Sequence, residues 1–324
     1  MEEPSTALRW TIFLFAGGDA ALLGLAGLAV TFGVALWPRR RRPVRIAAFG
    51  LGLLVCLSLV VCSPIPCPTW FAGLSLVWLM VLLWFVVRAR ARQKSGALPV
   101  TATRAPATAW LWFVAPWTWL AMALLLEVPF HLWASPDPEV STLLIIGDSV
   151  TAGLNDGEDT WPRQLARQVK LDVLDASQPG ATLRSARQQN QLFGNQPGLV
   201  VLEIGGNDML EGLPVNTFED HLEVLLSEVA RPDRRLVMFE LPLPPLCARY
   251  GDIQRRLAVR HGVWLIPKRS FSTVLTTFGS TVDGIHLSAK GQSQMALLMQ
   301  SLLGLPSQSN AGNYQRFESR FVTQ

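Results

Sequence analysis

Two hydrophobic patterns share this chain, and one gives way to the other near residue 135. In the first part, apolar residues run almost unbroken over 10–36, 46–61, 70–87 and 109–133. A bilayer crossing takes about 20 apolar residues, so the outer two stretches have ample length and the middle two are short but sufficient. Stretches this long and this closely spaced predict four transmembrane helices rather than buried core helices. In the second part the apolar runs shrink to 143–146, 171–174, 199–204, 236–241 and 263–266, each bounded by turn residues, as strands covered on both faces are. Helical periodicity fills the gaps at about 161–169, 181–193, 217–230 and 247–261, with a last helix over 288–303. The third of these opens on Asn216 or Thr217 as a cap, and the fourth stops at His261-Gly262. Alternating strands and helices predict an α/β domain with a doubly wound parallel five-stranded sheet, preceded by an α-helical transmembrane region. From Pro306 onward the sequence is polar and irregular and reads as disordered. The expected organisation is a four-helix transmembrane region over 1–135, an α/β domain over 138–305 and a polar tail over 306–324.

Charge orients the membrane region. Arg39, Arg40, Arg41, Arg42 and Arg45 separate the first two stretches, and Arg88, Arg90, Arg92, Lys94 and Arg104 separate the last two, whereas 62–69 carries no charge. Positive loops stay in the cytoplasm, so both termini and the α/β domain are expected outside a bacterial inner membrane. The first stretch does not read as a cleavable signal peptide, because Glu2 and Glu3 precede it and a four-Arg stop follows. Half of the 324 residues are hydrophobic and twelve are Trp, well above an ordinary soluble enzyme. Residues 138–305 hold 15 Lys+Arg against 18 Asp+Glu, so the net charge of +4 belongs to the membrane part and does not imply nucleic-acid binding.

Cys62 and Cys67 flank the uncharged loop, where a disulfide and a pair of free thiols remain equally open. Cys56 lies within a stretch and Cys247 stands alone; with four scattered His and no Cys-x-x-Cys, no metal site is expected. Asp19 and Glu127 are ionisable residues in or near spans. Glu127 reads as interfacial, and Asp19, after Gly17-Gly18, is left without an assigned role. The run Gly24, Gly27, Gly33 marks close helix packing.

The chemistry is concentrated in four short segments. Ser149 follows the first strand in Gly147-Asp148-Ser149, and Asp283-Gly284-Ile285-His286 puts a carboxylate three residues before an imidazole on a predicted loop. A serine becomes a nucleophile when a base takes its proton, the base needs its tautomer fixed, and the developing oxyanion needs donors already in place. Asn207, in Gly205-Gly206-Asn207-Asp208, is a polar donor after the third strand. His131, His221 and His261 read as structural, on a span end, a helix surface and a helix C-terminus. Asp148 and Asp208 read as loop-shaping groups, and Arg184 and Arg187 as a solvated helix face.

Over 142–304 these segments resemble the GDSL, or SGNH, hydrolase family. Gly147-Asp148-Ser149-Val150-Thr151-Ala152-Gly153 looks like its first block, with Val where Leu is commonest. Ser177-Gln178-Pro179-Gly180-Ala181-Thr182 looks like the second, Gly205-Gly206-Asn207-Asp208 matches the third, and Asp283-Gly284-Ile285-His286 matches the fifth. The resemblance is nearest to the lysophospholipase and thioesterase branch, whose members lack the four spans. It implies a flavodoxin-like three-layer fold, Ser149 as nucleophile, His286 as base and Asp283 as its orienting acid. It further implies an oxyanion hole made by the Ser149 and Gly180 N–H groups and the Asn207 amide, with no cofactor.

The expected protein is a membrane-anchored serine esterase acting on carboxylic esters, acyl or acetyl, with lipids or acylated envelope glycans as candidate substrates. Its partners are then the ester and the lipid bilayer. An acyltransferase using the same acyl-enzyme is one alternative, and a membrane scaffold or transport module with a degenerate hydrolase domain is another.

Overall fold

The computed structural model describes residues 141–244, 247–305 and 312–317, together with Leu14, 16–20, Leu125 and 128–132. The chain divides into two compact units, Met1–Asp19 with Phe130–Gln324, and Ala20–Pro129. Nearly all of the four apolar stretches, with their basic loops, Glu127 and the Cys62–Cys67 pair, lies outside the described residues. Among those described, no helix is long and apolar enough to cross a membrane.

The α/β part alternates β1 (Thr142–Gly147), α1 (Ser149–Ala152), α2 (Trp161–Gln168), β2 (Asp172–Asp175), α3 (Leu183–Leu192), β3 (Gly198–Glu203), α4 (Gly206–Leu210), α5 (Val215–Val229), β4 (Arg234–Phe239), α6 (Ala248–His261), β5 (Trp264–Ile266), α7 (Lys268–Thr276), α8 (Ala289–Leu302) and β6 (Tyr314–Arg316). All strand pairs are parallel, in the order β5-β4-β3-β1-β2-β6. The period-2 geometry of a strand sends alternate side chains to opposite faces. Leu144, Ile146, Val200, Leu202, Leu236 and Met238 therefore pack with α3, α5 and α6. Leu143, Ile145, Leu199, Val201, Val237 and Phe239 pack with α2, α7 and α8. The result is the three-layer sandwich expected. Since β2 and β3 lie on opposite sides of β1, the chain changes direction there, and the loops leaving β1 and β3 diverge to open a crevice at the carboxyl ends of these strands.

Three expectations need correction. The sheet has six strands, not five, and the sixth comes from the tail that reads as disordered. Tyr314–Arg316 forms β6 against β2, with Val173 N–H donating to Asn313 O at 2.7 Å and Phe317 N–H to Asp175 O at 2.8 Å. Side chains rather than apolar periodicity hold it there. The Tyr314 hydroxyl donates to the buried Asp175 carboxylate at 3.1 Å, the Arg163 guanidinium lies over the Tyr314 ring, and Phe317 meets Phe193 edge to face. A three-residue edge strand of Tyr, Gln and Arg has no periodicity to read. Residues 306–311 and 318–324 lie outside the described set. Helix α5 starts at Val215 behind Pro214, without a side-chain cap, so Asn216 and Thr217 fall in its first turn. The fixed φ of proline sets up the helical start that a capping side chain was expected to make. Helix α7, rich in Ser and Thr, was not anticipated; it forms because Phe271 and Val274, three apart, bury one stripe against the sheet.

Asp19 acquires a partner within its own unit. Its carboxylate lies 3.4 Å from Arg269 Nε. Next to Arg269, Lys268 is fully buried beside Glu240, which accepts a hydrogen bond from Arg255 Nε at 2.7 Å, and the Arg255 guanidinium stacks on the Phe130 ring.

Candidate active site

The first strand ends inside the sheet, and the turn after it is fastened from three sides. Gly147 is clasped by the side-chain amide of Gln189, whose Oε1 accepts from Gly147 N–H and whose Nε2 donates to Gly147 O, each at 3.0 Å. A Cβ at Gly147 would sit 2.7 Å from Thr151 Cβ, so only glycine lets α1 fold back this tightly. Asp148 caps α1, its Oδ1 accepting from Val150 N–H at 2.9 Å. Ser149 is thus the first residue of a short helix and is largely buried.

The partner groups come from a small hairpin before α8. Thr281 bridges Leu287, and Val282 N–H donates to His286 O at 2.9 Å. Within it Asp283 Oδ1 accepts from the backbone N–H groups of Ile285 and His286 at 3.0 and 2.9 Å. Ser288, which caps α8, locks the hairpin's end by donating to Gly279 O at 2.6 Å and accepting from Gly291 N–H. Asp283 Oδ2 lies 2.6 Å from His286 Nδ1, and His286 Nε2 lies 3.0 Å from Ser149 Oγ, across 137 positions of sequence.

Electrostatics fixes the direction of these bonds. Burial pushes the Asp283 carboxyl upward, but its bonds from the His286 ring and from the His286 and Ile285 backbone outweigh this and hold it at about 2. As a carboxylate Asp283 can only accept, so Nδ1 carries a proton; in the neutral ring this leaves Nε2 to accept from the Ser149 hydroxyl. An alcohol, a neutral imidazole and an anionic carboxylate in this line can move the serine proton to His286 and stabilise the imidazolium that results.

Asn207 lies on the second residue of α4, just after Gly205 in the left-handed region. Its Nδ2 donates to Ala181 O at 2.8 Å and more weakly to Asp148 Oδ2 at 3.4 Å. Gly180 has φ +73° on the exposed turn before Ala181; nothing lies within 4 Å of a Cβ built there, so its backbone angle and not crowding calls for glycine. The Asn207–Ala181 bond ties the Gly180 turn to α4, and the Asn207–Asp148 contact ties α4 to the Ser149 turn. The five residues singled out in the sequence therefore gather at one end of the β1/β3 crevice.

The other charged groups behave as loop and helix supports. Asp208 Oδ2 accepts from Leu183 N–H at 2.9 Å and so serves α3, while burial raises its carboxyl. Arg187 pairs with Glu228 on α5. His261 meets Glu223 at 2.9 Å near the C-terminus of α6, which Gly262 ends with φ +63°. Among the described residues, no group of three or more His, Cys, Asp or Glu could hold a metal ion. Cys247 is a free, half-buried thiol, pushed up by burial.

Residues 145–294 match the model of the GDSL-like lipase/acylhydrolase family. The thioesterase 1/protease 1/lysophospholipase L1 of Escherichia coli K12 is 32% identical over 161 residues, spanning 47% of this chain and 77% of that protein. The chain belongs to the GDSL-like lipase/acylhydrolase family. It is a serine hydrolase acting on ester bonds. An arylesterase of Vibrio mimicus is 27% identical over 186 residues, 53% of this chain and 93% of that one. The crystal structure of the psychrotrophic esterase EstA from Pseudoalteromonas sp. aligns at 22% identity and a TM-score of 0.45, covering 51% of this chain and 97% of that chain.

Several groups around this GDSL-like site had not been singled out in the sequence. Gln189, Glu203, Thr151 and Gln292 all bond to the turns that carry Ser149 or begin α2. Glu203 left one signal, a carboxyl ending an otherwise apolar strand. Gln189 left none, because it sits in a helix whose visible face is polar.

Proposed function

We propose that this protein is a membrane-anchored esterase in which Ser149 is the nucleophile, His286 the general base and Asp283 the orienting acid. The observation carrying this reading is the continuous line from Ser149 Oγ through His286 to Asp283, at 3.0 and 2.6 Å. Ser149 Oγ attacks the ester carbonyl as Nε2 takes its proton, and Asp283 stabilises the resulting imidazolium. The oxyanion is held by the N–H groups of Ser149 and Gly180 and by the Asn207 amide. His286 returns its proton to the leaving alkoxide, giving the free alcohol and an acyl-enzyme. Water, deprotonated by His286, then releases the carboxylic acid and restores Ser149.

The membrane part of the proposal rests on the four apolar stretches and the two basic loops. With those loops in the cytoplasm, the catalytic domain faces the periplasm of a bacterial inner membrane. Only about ten residues separate position 133 from β1, and at roughly 3.3–3.6 Å per extended residue the link is no longer than about 35 Å. That short reach favours an amphiphilic ester, such as a lysophospholipid or another acylated envelope component.

A fluorophosphonate probe should label the wild-type protein in membranes and fail to label Ser149→Ala, and Ser149→Ala and His286→Ala should each lose several orders of magnitude in turnover of a short-chain ester. Substantial turnover by Ser149→Ala sinks the mechanism. A membrane-impermeant thiol reagent should reach a Cys placed at Ser309 in intact spheroplasts and not one at Gln93. The reverse pattern refutes the periplasmic assignment.

A further inference from the structure

Behind the residues that the proposed reaction uses lies a carboxyl group that the reaction does not. Strand β3 is apolar up to its last residue, Glu203, which pairs in register with Gly147 and is only 2% exposed. A carboxyl in such a place is costly unless every oxygen is partnered. Glu203 Oε2 accepts from Thr151 Oγ1 at 3.0 Å, and that same Thr151 oxygen accepts from the Trp161 indole N–H at 3.3 Å. Its backbone O accepts from Asp148 N–H at 3.2 Å, and its carboxyl hydrogen-bonds the carboxyl of Asp148. Two carboxyl groups can share a hydrogen bond only when one is protonated. Burial raises both. Asp148 accepts N–H bonds from Val150 and Asn207, which favour its ionised form, whereas the Glu203 carboxyl accepts a single hydroxyl from Thr151, so Glu203 holds the proton and donates.

The carboxylate that receives this bond is the one that serves the site. Asp148 Oδ1 accepts from Val150 N–H in the Ser149 turn, and Oδ2 faces Asn207 Nδ2. We propose that Glu203 is a positioning residue for ester cleavage: its hydrogen bond to Asp148 fixes the carboxylate against which the Asn207 amide is aimed. The inference rests on the proposed role of Asn207 as an oxyanion donor. Trp161, Thr151, Glu203, Asp148 and Asn207 then form one chain of hydrogen bonds from α2 to α4. Chains of this kind, when fully satisfied, hold one geometry. That is the requirement for donors that must be in place before charge develops.

The test uses the full-length chain, with kcat and KM measured on a short-chain ester and folding followed by thermal melts. A misaimed donor loses part of the contribution of one oxyanion hydrogen bond, so Glu203→Ala should lower kcat about 10- to 100-fold with KM changed by less than about threefold. Glu203→Gln can accept from Thr151 with its oxygen and donate to Asp148 with its nitrogen, and should stay within about threefold of wild type. Glu203→Leu, close in volume and unable to donate, should resemble Glu203→Ala and serves if the alanine variant does not fold. Since Glu203 acts through Asn207, the double variant Glu203→Ala/Asn207→Ala should be no slower than Asn207→Ala within about threefold, whereas independent effects would multiply. Normal kcat in Glu203→Ala and Glu203→Leu, equal losses in the Gln and Ala variants, or multiplying effects overturn the inference. If Ser149→Ala is dead in the same assay, any of these failures leaves the proposed function standing; an active Ser149→Ala refutes that function itself.

Discussion

Asn207→Ala separates a transition-state donor from a substrate-binding group. The amide carries two protons. One goes to Ala181 O at 2.8 Å, a good hydrogen bond, and the other points toward Asp148 Oδ2 at 3.4 Å, near the limit of a useful one. The first anchors the side chain. The second is weakly spent in the resting site and is the one free to turn to an oxyanion. Because it strengthens only as negative charge develops, its loss should appear in kcat and not in KM. One such donor is worth on the order of 10²–10³ in turnover, about 3–4 kcal/mol. The truncation also removes the bond to the Ala181 carbonyl, which costs about 1 kcal/mol of stability, or a few degrees of Tm for a domain of this size. Steady-state kinetics on a chromogenic short-chain ester, run beside thermal melts, measures both effects. A variant with wild-type kcat and a raised KM would show that Asn207 binds ground-state substrate, and the oxyanion assignment would fall.

Three further outcomes are expected. Asp283→Asn replaces an acceptor-only carboxylate with a group that can also donate, so His286 loses its fixed tautomer and kcat should fall on the order of 10³–10⁴ while fluorophosphonate labelling slows in proportion; unchanged kinetics would remove Asp283 from the mechanism. Glu203 is raised well above 4.5 in the folded protein by burial and by Asp148, with His286 and Asp208 acting in turn on Asp148, so its stabilising effect is full below the unfolded value and lost as pH rises toward the folded one. Glu203→Gln, free of this loss, should therefore gain Tm relative to wild type between pH 5 and the alkaline range, and a difference flat with pH would contradict a protonated Glu203. Truncation after Leu305 removes β6, leaving the buried Asp175 without the Tyr314 hydroxyl and exposing the edge of β2; a cost of at least about 1–3 kcal/mol is expected, and an unchanged Tm would mean that β6 adds nothing to the fold.

Much of this protein is legible along the chain because its physics is local. Leu143 to Ile146 and Leu199 to Ile204 read as strands because a segment covered on both faces must be continuously apolar. The Asp283–His286 spacing is likewise local, since one Asx-type turn brings carboxylate and imidazole together whatever the rest of the chain does. The order of Ser149, Gly180, Asn207 and His286 along the sequence, each after its strand or before its helix, was enough to place them on one edge of a parallel sheet. The tertiary structure decided what depends on distant residues meeting. That Gln189 clasps Gly147, that Glu203 stands behind Asp148, and that Tyr314 completes the sheet through Asp175 are pairings 42, 55 and 139 positions apart. A hydrogen bond across such a separation leaves no periodicity and no composition bias. A glutamine on a helix face and a tyrosine in a polar tail look alike whether or not a partner awaits them. Asp19 shows the same limit: its neighbours in sequence leave its role open, and its ion pair with Arg269 exists only because the fold brings the two together.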